Sequence, residues 1–335
     1  MFSINLRLGI LGLLASTAVE TAHCQAETRS LTLPGAPVEA APSSIRASTL
    51  PGREEDARVE QIAFRLAVAG RMRCTTLKPN IGLVLQHLSQ FEQVDRPGMI
   101  AKQSLDRGAG VIVVVPDSPA AAAGIRPGDV LLAIDGHALP PETALSAAFD
   151  AARAHARADA IRDLLADAGT QSFTISLLRD DMVSAVKVTP VSACPSDGHL
   201  ARSNQQNAYA DGRHVFLTTG LLSRLQNDDE LAFIIAHEMA HNILHHATIM
   251  RVADVKHGLG HTLGRSGRIV RETEREADAL GGDLMIDAGF DPVRGAAILK
   301  RLDRADLGID LFAAHDSAGK RIAAMRVLEN SRIPR

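Results

Sequence analysis

Apolar and polar positions fall into distinct patterns along the chain. After Arg7, residues Leu8–Val19 form a run of apolar and small residues. It is too short for the ~20 residues that span a bilayer. It predicts the core of a secretory signal peptide over 1–26, with cleavage after Cys24-Gln25-Ala26; the alternative is an uncleaved anchor or a buried helix. Residues 27–52, rich in Pro, Ala, Ser and Thr, read as a linker. Val111–Val115 is β-branched and predicts a strand. Beyond it come a Pro-Asp-Ser-Pro turn, a short helix closed by Gly124, a Pro127-Gly128-Asp129 turn, and a second strand ended by Asp135-Gly136. Ala144–Gly169 predicts a helix, and Ser172–Leu178 with Val183–Val188 a hairpin turning at Arg179-Asp180-Asp181. Asp228–His246 predicts a long helix, capped by Asn227 or Asp228, with Asp228, Asp229 and Glu230 at the positive end of its dipole.

Composition narrows the function. The chain has 335 residues, a length that favours about two domains. With 46% hydrophobic and 22% charged residues it is globular rather than disordered. A formal charge of −3 offers no basic surplus for nucleic acid or anionic membrane. No Trp and one Tyr argue against base stacking and carbohydrate platforms. After residue 26 no apolar run approaches a membrane span, so none is expected in the mature chain. Three cysteines are too few for a disulfide scaffold. If cleavage removes Cys24, Cys74 and Cys194 form a disulfide candidate in an oxidising compartment, bracketing the segment between them; the alternative is two buried thiols.

Six of the 13 histidines fall between residues 237 and 261. Within the long helix stands His237-Glu238-Met239-Ala240-His241. Residues four apart on a helix differ by about 40° in rotation and about 6 Å in rise, so both imidazoles can face one cation. Glu238 is placed to reach a water on that cation, and zinc suits the donor set best. A third ligand is required. His245 continues the row, but a straight helix cannot wrap three successive turns around one ion. Glu274 on a second helix over Arg271–Gly282 has the better geometry, with Ala277 and Gly281 permitting close approach to Ala236 and Ala240. Asp278, on the same face, can orient an imidazole ligand. Glu272 and Glu276 lie on other faces and read as solvated charge. His246, His257 and His261 read as packing or solvent residues.

The Ser118-Pro119-Ala120, Ala123-Gly124-Ile125, Pro127-Gly128-Asp129 and Asp135-Gly136 series resembles a PDZ domain of the bacterial secreted-protease type. That resemblance implies peptide binding by strand addition at Ile81, Gly82, Leu83 and Val84, with C-terminal tails as ligands; the alternative is a spacer with a degenerate groove. The His-Glu-Met-Ala-His run, Glu274-x-x-Ala277-Asp278 and Asn207-Ala208-Tyr209-Ala210 together resemble metallopeptidase family 48, the HtpX- and BepA-like zinc metalloproteases, over roughly Gly198–Arg326 plus a helix at Glu54–Met72. The resemblance implies that Asn207, Ala208, Tyr209 and Ala210 form a sheet edge where substrate pairs. It also implies that His315 faces the metal, as oxyanion donor or removable ligand, with Arg321 six residues on; the Pro expected after that His is Asp316 here.

The fold expected is α+β: a mainly helical gluzincin-type zinc protease core with a small sheet, interrupted by a mostly β PDZ domain. Residues 53–78 would supply the N-terminal helix, 79–193 the insert and 194–335 the metallopeptidase domain. The expected function is an exported, periplasmic or secreted zinc metalloendopeptidase. It would hold one Zn2+ per chain through His237, His241 and Glu274, with Glu238 as base and His315 assisting. The alternative is a non-proteolytic chaperone or adaptor whose metal site His315 closes.

Overall fold

The computed structural model describes residues 48–140, 145, 153–255, 264–302 and 316–332. The signal segment, most of the linker, His257, His261 and His315 lie outside the described residues. The description opens with strand β1 (Ser48–Thr49), helix α1 (Glu54–Ala69), β2 (Lys78–Asn80), β3 (Leu83–Gln86), α2 (Arg96–Gln103), β4 (Gly110–Val114) and α3 (Pro119–Ala122). Next come β5 (Val130–Ile134), β6 (His137–Ala138), α4 (Ala156–Asp167), β7 (Phe173–Arg179), β8 (Met182–Val188) and β9 (Val191–Ala193). The remainder runs β10 (Asp197–Ala201), β11 (Ala208–Ala210), β12 (His214–Thr218), α5 (Thr219–Leu222), α6 (Asp228–Ile243) and α7 (His246–Val252). It ends with α8 (Gly264–Asp287), α9 (Pro292–Ala296), α10 (Leu299–Leu302) and α11 (Ala318–Arg332). The class is α+β.

Strands β1, β4, β5, β7 and β8 lie side by side in that order, with β3 added to β4 and β6 to β5, all antiparallel. Alternation along β7 buries Phe173, Ile175 and Leu177 against Ile161 and Leu165 of α4, forming one core. The β7–β8 hairpin turns on Asp180 (φ 48°) and Asp181 (φ 59°), the left-handed pair that a two-residue turn requires. Two expectations need correction here. The linker stops short of residue 52, because Ser48–Thr49 pairs with Val113–Val114 and the Leu50 N–H donates to the Ile112 carbonyl. The helix expected over Ala144–Gly169 is described only as Ala156–Asp167, residues 141–144 and 146–152 lying outside the described set.

A second core is helical. Helix α6 has buried residues nearly all round, Leu231 through Ala236 among them, and sits between α1, α8 and α9 with the small sheet β10-β12-β11 beside it. Its start is well specified. Asn227 accepts from the Glu230 N–H at 3.0 Å, and Glu230 accepts from the Gln226 N–H at 2.7 Å. Its end comes earlier than expected: α6 stops at Ile243, and His245 adopts a left-handed φ of 56° before α7 begins.

Helix α1 joins the two cores. Its Val59, Ile62, Ala63 and Leu66 pack in the helical core, while Ala57 meets Ile112 and Val113 of β4. Cys74 and Cys194 are bonded, with Cα atoms 5.7 Å apart and a sequence separation of 120. They stand where the chain enters and leaves the β-rich region, next to the β2–β9 pair. Closing a loop of this length restricts the unfolded chain by about 4–5 kcal/mol in the chain-entropy account.

Glu60 of α1 is buried beside a cavity between α1, α4 and the Cys194–Asp197 segment. Burial, then the negative charge of Asp197, pushes its carboxyl up to about 8 against the pull of Arg162. The unfolded chain ionises Glu60 from about 4.5 upward while the folded chain does not, so stability falls as pH rises from about 4.5 to about 8. Glu60→Gln should therefore leave stability near wild type at pH 4.5 and raise it by up to about 4 kcal/mol at pH 8.5, read by urea unfolding at both pH values.

Candidate metal centre

Helices α6 and α8 cross with almost no side chain between them at one point. A Cβ on Gly281 would lie 3.1 Å from the Ala236 carbonyl group and from the His237 nitrogen. This approach sets two carboxylates of α8, one turn apart, against the imidazoles of α6. His237 Nε2 lies 3.2 Å from Glu274 Oε2 and 3.2 Å from His241 Nε2, and His241 Nε2 is 3.6 Å from Glu274 Oε2. Ligand atoms at about 2.1 Å from a tetrahedral ion are about 3.4 Å apart, so these three atoms fit one divalent cation. Glu238, between the two histidines in sequence, is also buried.

On the far side of His237, Nδ1 lies 3.0 Å from Asp278 Oδ1. Arg321 of α11 holds that carboxylate with both prongs, Nε to Oδ2 at 2.7 Å and Nη2 to Oδ1 at 2.6 Å. Burial alone would raise Asp278, but hydrogen bonds from His237 and Arg321 outweigh it and hold the carboxyl well below its ordinary value. Burial likewise lowers His237, but its bonds to Asp278 and Glu274 outweigh that and raise it. The site thus favours positive charge at this imidazole, and a cation bound there displaces the proton.

His241 has its own support. Its Nδ1 lies 3.0 Å from Nδ1 of His246, which is fully buried, and His246 Nε2 lies 3.2 Å from Glu276 Oε2. His246 is a buried packing residue and Glu276 stays more than half exposed, but the left-handed turn at His245 brings His246 back toward α8, where the two side chains meet. His245 itself is exposed. Asn242 was overlooked. Its side chain accepts from the Gly212 N–H at 2.8 Å and donates to Ser196 Oγ and the His214 carbonyl at 3.0 Å, tying α6 to the sheet. Paired His245-His246 was the signal available for the His246 contact; nothing in the sequence marks Asn242.

Among the described residues, strand β11 is the edge of its sheet, paired with β12, and runs beside α6. Asn207 precedes it and shares hydrogen bonds with Thr218; Ala208 is buried; Tyr209 is exposed and stacks on Phe216; Ala210 is half-buried.

In the β-rich region, Ile81 and Leu83 are buried and Val84 packs beside Ala57, Ile112 and Val113. Gly82 has φ +73°, and a Cβ there would collide with Ser118 Cβ at 2.4 Å, so the turn demands glycine. Leu83, Leu85, Ala158, Ile161 and Leu165 share one buried cluster. Ile81, Leu83 and Leu165 help to line the same cavity of about 60 Å³ that lies beside Glu60, together with Arg162, Arg213 and the Cys194–Asp197 segment.

A second group, Asp159, His199 and His214, joins α4 to the β10-β12 edge. Arg162 pairs with Asp159 and places Nη2 3.3 Å from His199 Nε2. Burial, then the neighbouring Arg162 charge, holds His199 far below the ordinary imidazole value, so it stays a neutral acceptor. The guanidinium occupies the position of a cation, and with Arg213 gripping Asp163 through two bonds of 2.8 and 2.9 Å the group acts as a polar joint.

Comparison with known proteins is consistent with this geometry. Residues 187–259 match the profile of peptidase family M48, and residues 110–164 that of the PDZ domain. The two matches fall on separate stretches, and each covers less than half of the chain. The M48 match contains His237, Glu238 and His241 but ends before Glu274, whose place beside them rests on the distances above. Mitochondrial metalloendopeptidase OMA1 of Schizosaccharomyces pombe (strain 972 / ATCC 24843) is 29% identical over 160 residues, covering 41% of this chain and 48% of that protein. The chain therefore spans about half the length of this relative. The solved HtrA-type protease AlgW with decapeptide is 23% identical over 35% of this chain and 30% of its own, at a TM-score of 0.24, too low to bear on the fold.

The Gly281 contact gives a direct test. Gly281→Ala should cost about 1–3 kcal/mol by forcing α8 away from α6. Gly319→Ala in α11, where the added Cβ meets nothing, should instead gain about 0.5–1 kcal/mol. Chemical denaturation of the two variants beside wild type reads both signs.

Proposed function

We propose that the chain is an exported zinc metalloendopeptidase acting on extended segments of misfolded or envelope proteins. The observation that carries the reading is the set of three ligand atoms 3.2–3.6 Å apart with Glu238 adjacent to the first ligand. The residues fit zinc: two imidazole nitrogens and one carboxylate oxygen, His237 being further supported by Asp278 and Arg321. Zinc held there supplies Lewis acidity and lowers the pKa of a bound water.

This chain's own residues do the rest. The edge of β11 that is unpaired among the described residues offers backbone groups of Ala208–Ala210 to an extended substrate, which pairs as an added strand. The Glu238 carboxylate takes the proton of the attacking water and delivers it to the leaving amine nitrogen, base first and acid second. His315, outside the described residues, would donate to the developing oxyanion or withdraw from the cation as substrate enters. The PDZ domain would recruit C-terminal tails by strand addition at Ile81, Gly82, Leu83 and Val84. Export is supported by the apolar run at Leu8–Val19 and by the Cys74–Cys194 bond, which persists in an oxidising compartment. Among the described residues no helix is long and apolar enough to cross a membrane.

The test is cleavage of unfolded casein by wild type and Glu238→Gln, with zinc content measured for each. The expected result is a fall of about 10²–10⁴-fold in rate at unchanged zinc content. Equal zinc with no cleavage by either protein, even after His315→Ala, would overturn the protease reading in favour of an adaptor.

A further inference from the structure

His241 is the ligand whose support the histidine-glutamate spacing does not explain. His237 faces a carboxylate directly through Nδ1. Around His241 Nδ1 the neighbour is instead another imidazole, Nδ1 of His246 at 3.0 Å, with ring centroids 4.9 Å apart and planes at 78°. His246 has no exposed surface and places Nε2 3.2 Å from Glu276 Oε2. Reaching this position requires the bend at His245. Five residues along an unbroken helix would carry His246 about 140° around the axis, away from His241. The non-glycine left-handed φ of 56° at His245, a conformation that costs roughly 1 kcal/mol, ends α6 and turns the next residue inward.

The protons of this chain have one consistent arrangement. An ionised carboxylate only accepts, so Glu276 requires the proton of a neutral His246 on Nε2. His246 Nδ1 is then an acceptor, and the proton between the two rings must belong to His241 Nδ1. That leaves the lone pair of His241 on Nε2, the atom 3.2 Å from His237 Nε2 and 3.6 Å from Glu274 Oε2. The opposite tautomer of His241 would carry its proton on Nε2, against the other ligand atoms, and could not coordinate. We propose that His246 is a positioning residue for the metal site, holding His241 in its coordinating tautomer, with Glu276 fixing the tautomer of His246. The first ligand is oriented in one step by a carboxylate, and the second in two steps through an imidazole.

This inference rests on the metal reading above, and the experiment separates the two. Zinc affinity is measured by chelator competition on wild type, His246→Phe, His246→Asn and Glu276→Ala, together with the melting temperature of each metal-free protein. Phe keeps the buried volume but has no acceptor; Asn is smaller but places Oδ1 near the position of Nδ1. The expected result is a 10–100-fold loss of zinc affinity in His246→Phe, recovery to within about threefold of wild type in His246→Asn, and a several-fold loss in Glu276→Ala. The melting temperatures should run the other way, with Asn below Phe. Wild-type affinity in His246→Phe with loss in His246→Asn would make the residue a packing element and overturn the proposal. Should His246→Phe not fold, unchanged affinity in the half-exposed Glu276→Ala would overturn it equally. Failure of wild type to bind zinc would sink the metal reading itself.

Discussion

The close crossing of α6 and α8 at Gly281 is the constraint from which the rest of the site follows. Without a side chain at 281, the α8 backbone reaches the peptide groups of Ala236 and His237. Only at that separation do the short side chains of Glu274 and Asp278 meet an imidazole from both sides. A buried and a half-buried carboxylate so placed repel and lose hydration. Arg321 offsets part of that cost with a two-pronged bond to Asp278. The remainder is balanced by positive charge at His237, carried by a proton or by a metal ion in its place.

Much of the surrounding structure serves to hold that crossing. Gly295 of α9 lies so near the Asp229 carbonyl that an added Cβ would sit 2.5 Å from it, and α9 therefore braces the first turn of α6. Asp229 accepts from the Asp291 N–H at 2.9 Å, and Glu230 takes Arg301 Nη2 at 2.6 Å, so the acidic first turn is anchored as well as matched to the helix dipole. Asn242 fixes the other end of α6 to the sheet, using both its donor and acceptor groups. The sheet that carries β11 is thereby tied to the helix that carries His237 and His241.

The PDZ domain is joined to this frame by three different kinds of interaction. Ala57 against Ile112 and Val113 is apolar, the Cys74–Cys194 bond is covalent, and the Asp159-Arg162-His199 and Asp163-Arg213 contacts are ionic and hydrogen-bonded. The ionic contacts lie on α4, the helix that also packs over Leu83 and Leu85.

Local patterns determined a good deal. The HEMAH spacing placed His237 and His241 on one helix face, the small residues Ala277 and Gly281 marked the contact side of a second helix, and Asp-Gly and Asp-Asp turns located the strands of the insert. Each depends on a few consecutive residues and on helix or strand periodicity, which a sequence carries in full. What sequence could not supply depends on where the chain bends and what lies across the bend. Helix α6 reads as continuous to His246, since nothing in Leu244-His245 forbids it, and the left-handed residue that ends it is favoured only by packing around His246. Glu276 looks like solvated charge for the same reason: it lies off the ligand face of α8, and its partner comes from a different helix. The tertiary structure alone decided those pairings, because the energy that fixes them comes from burial between elements distant along the chain.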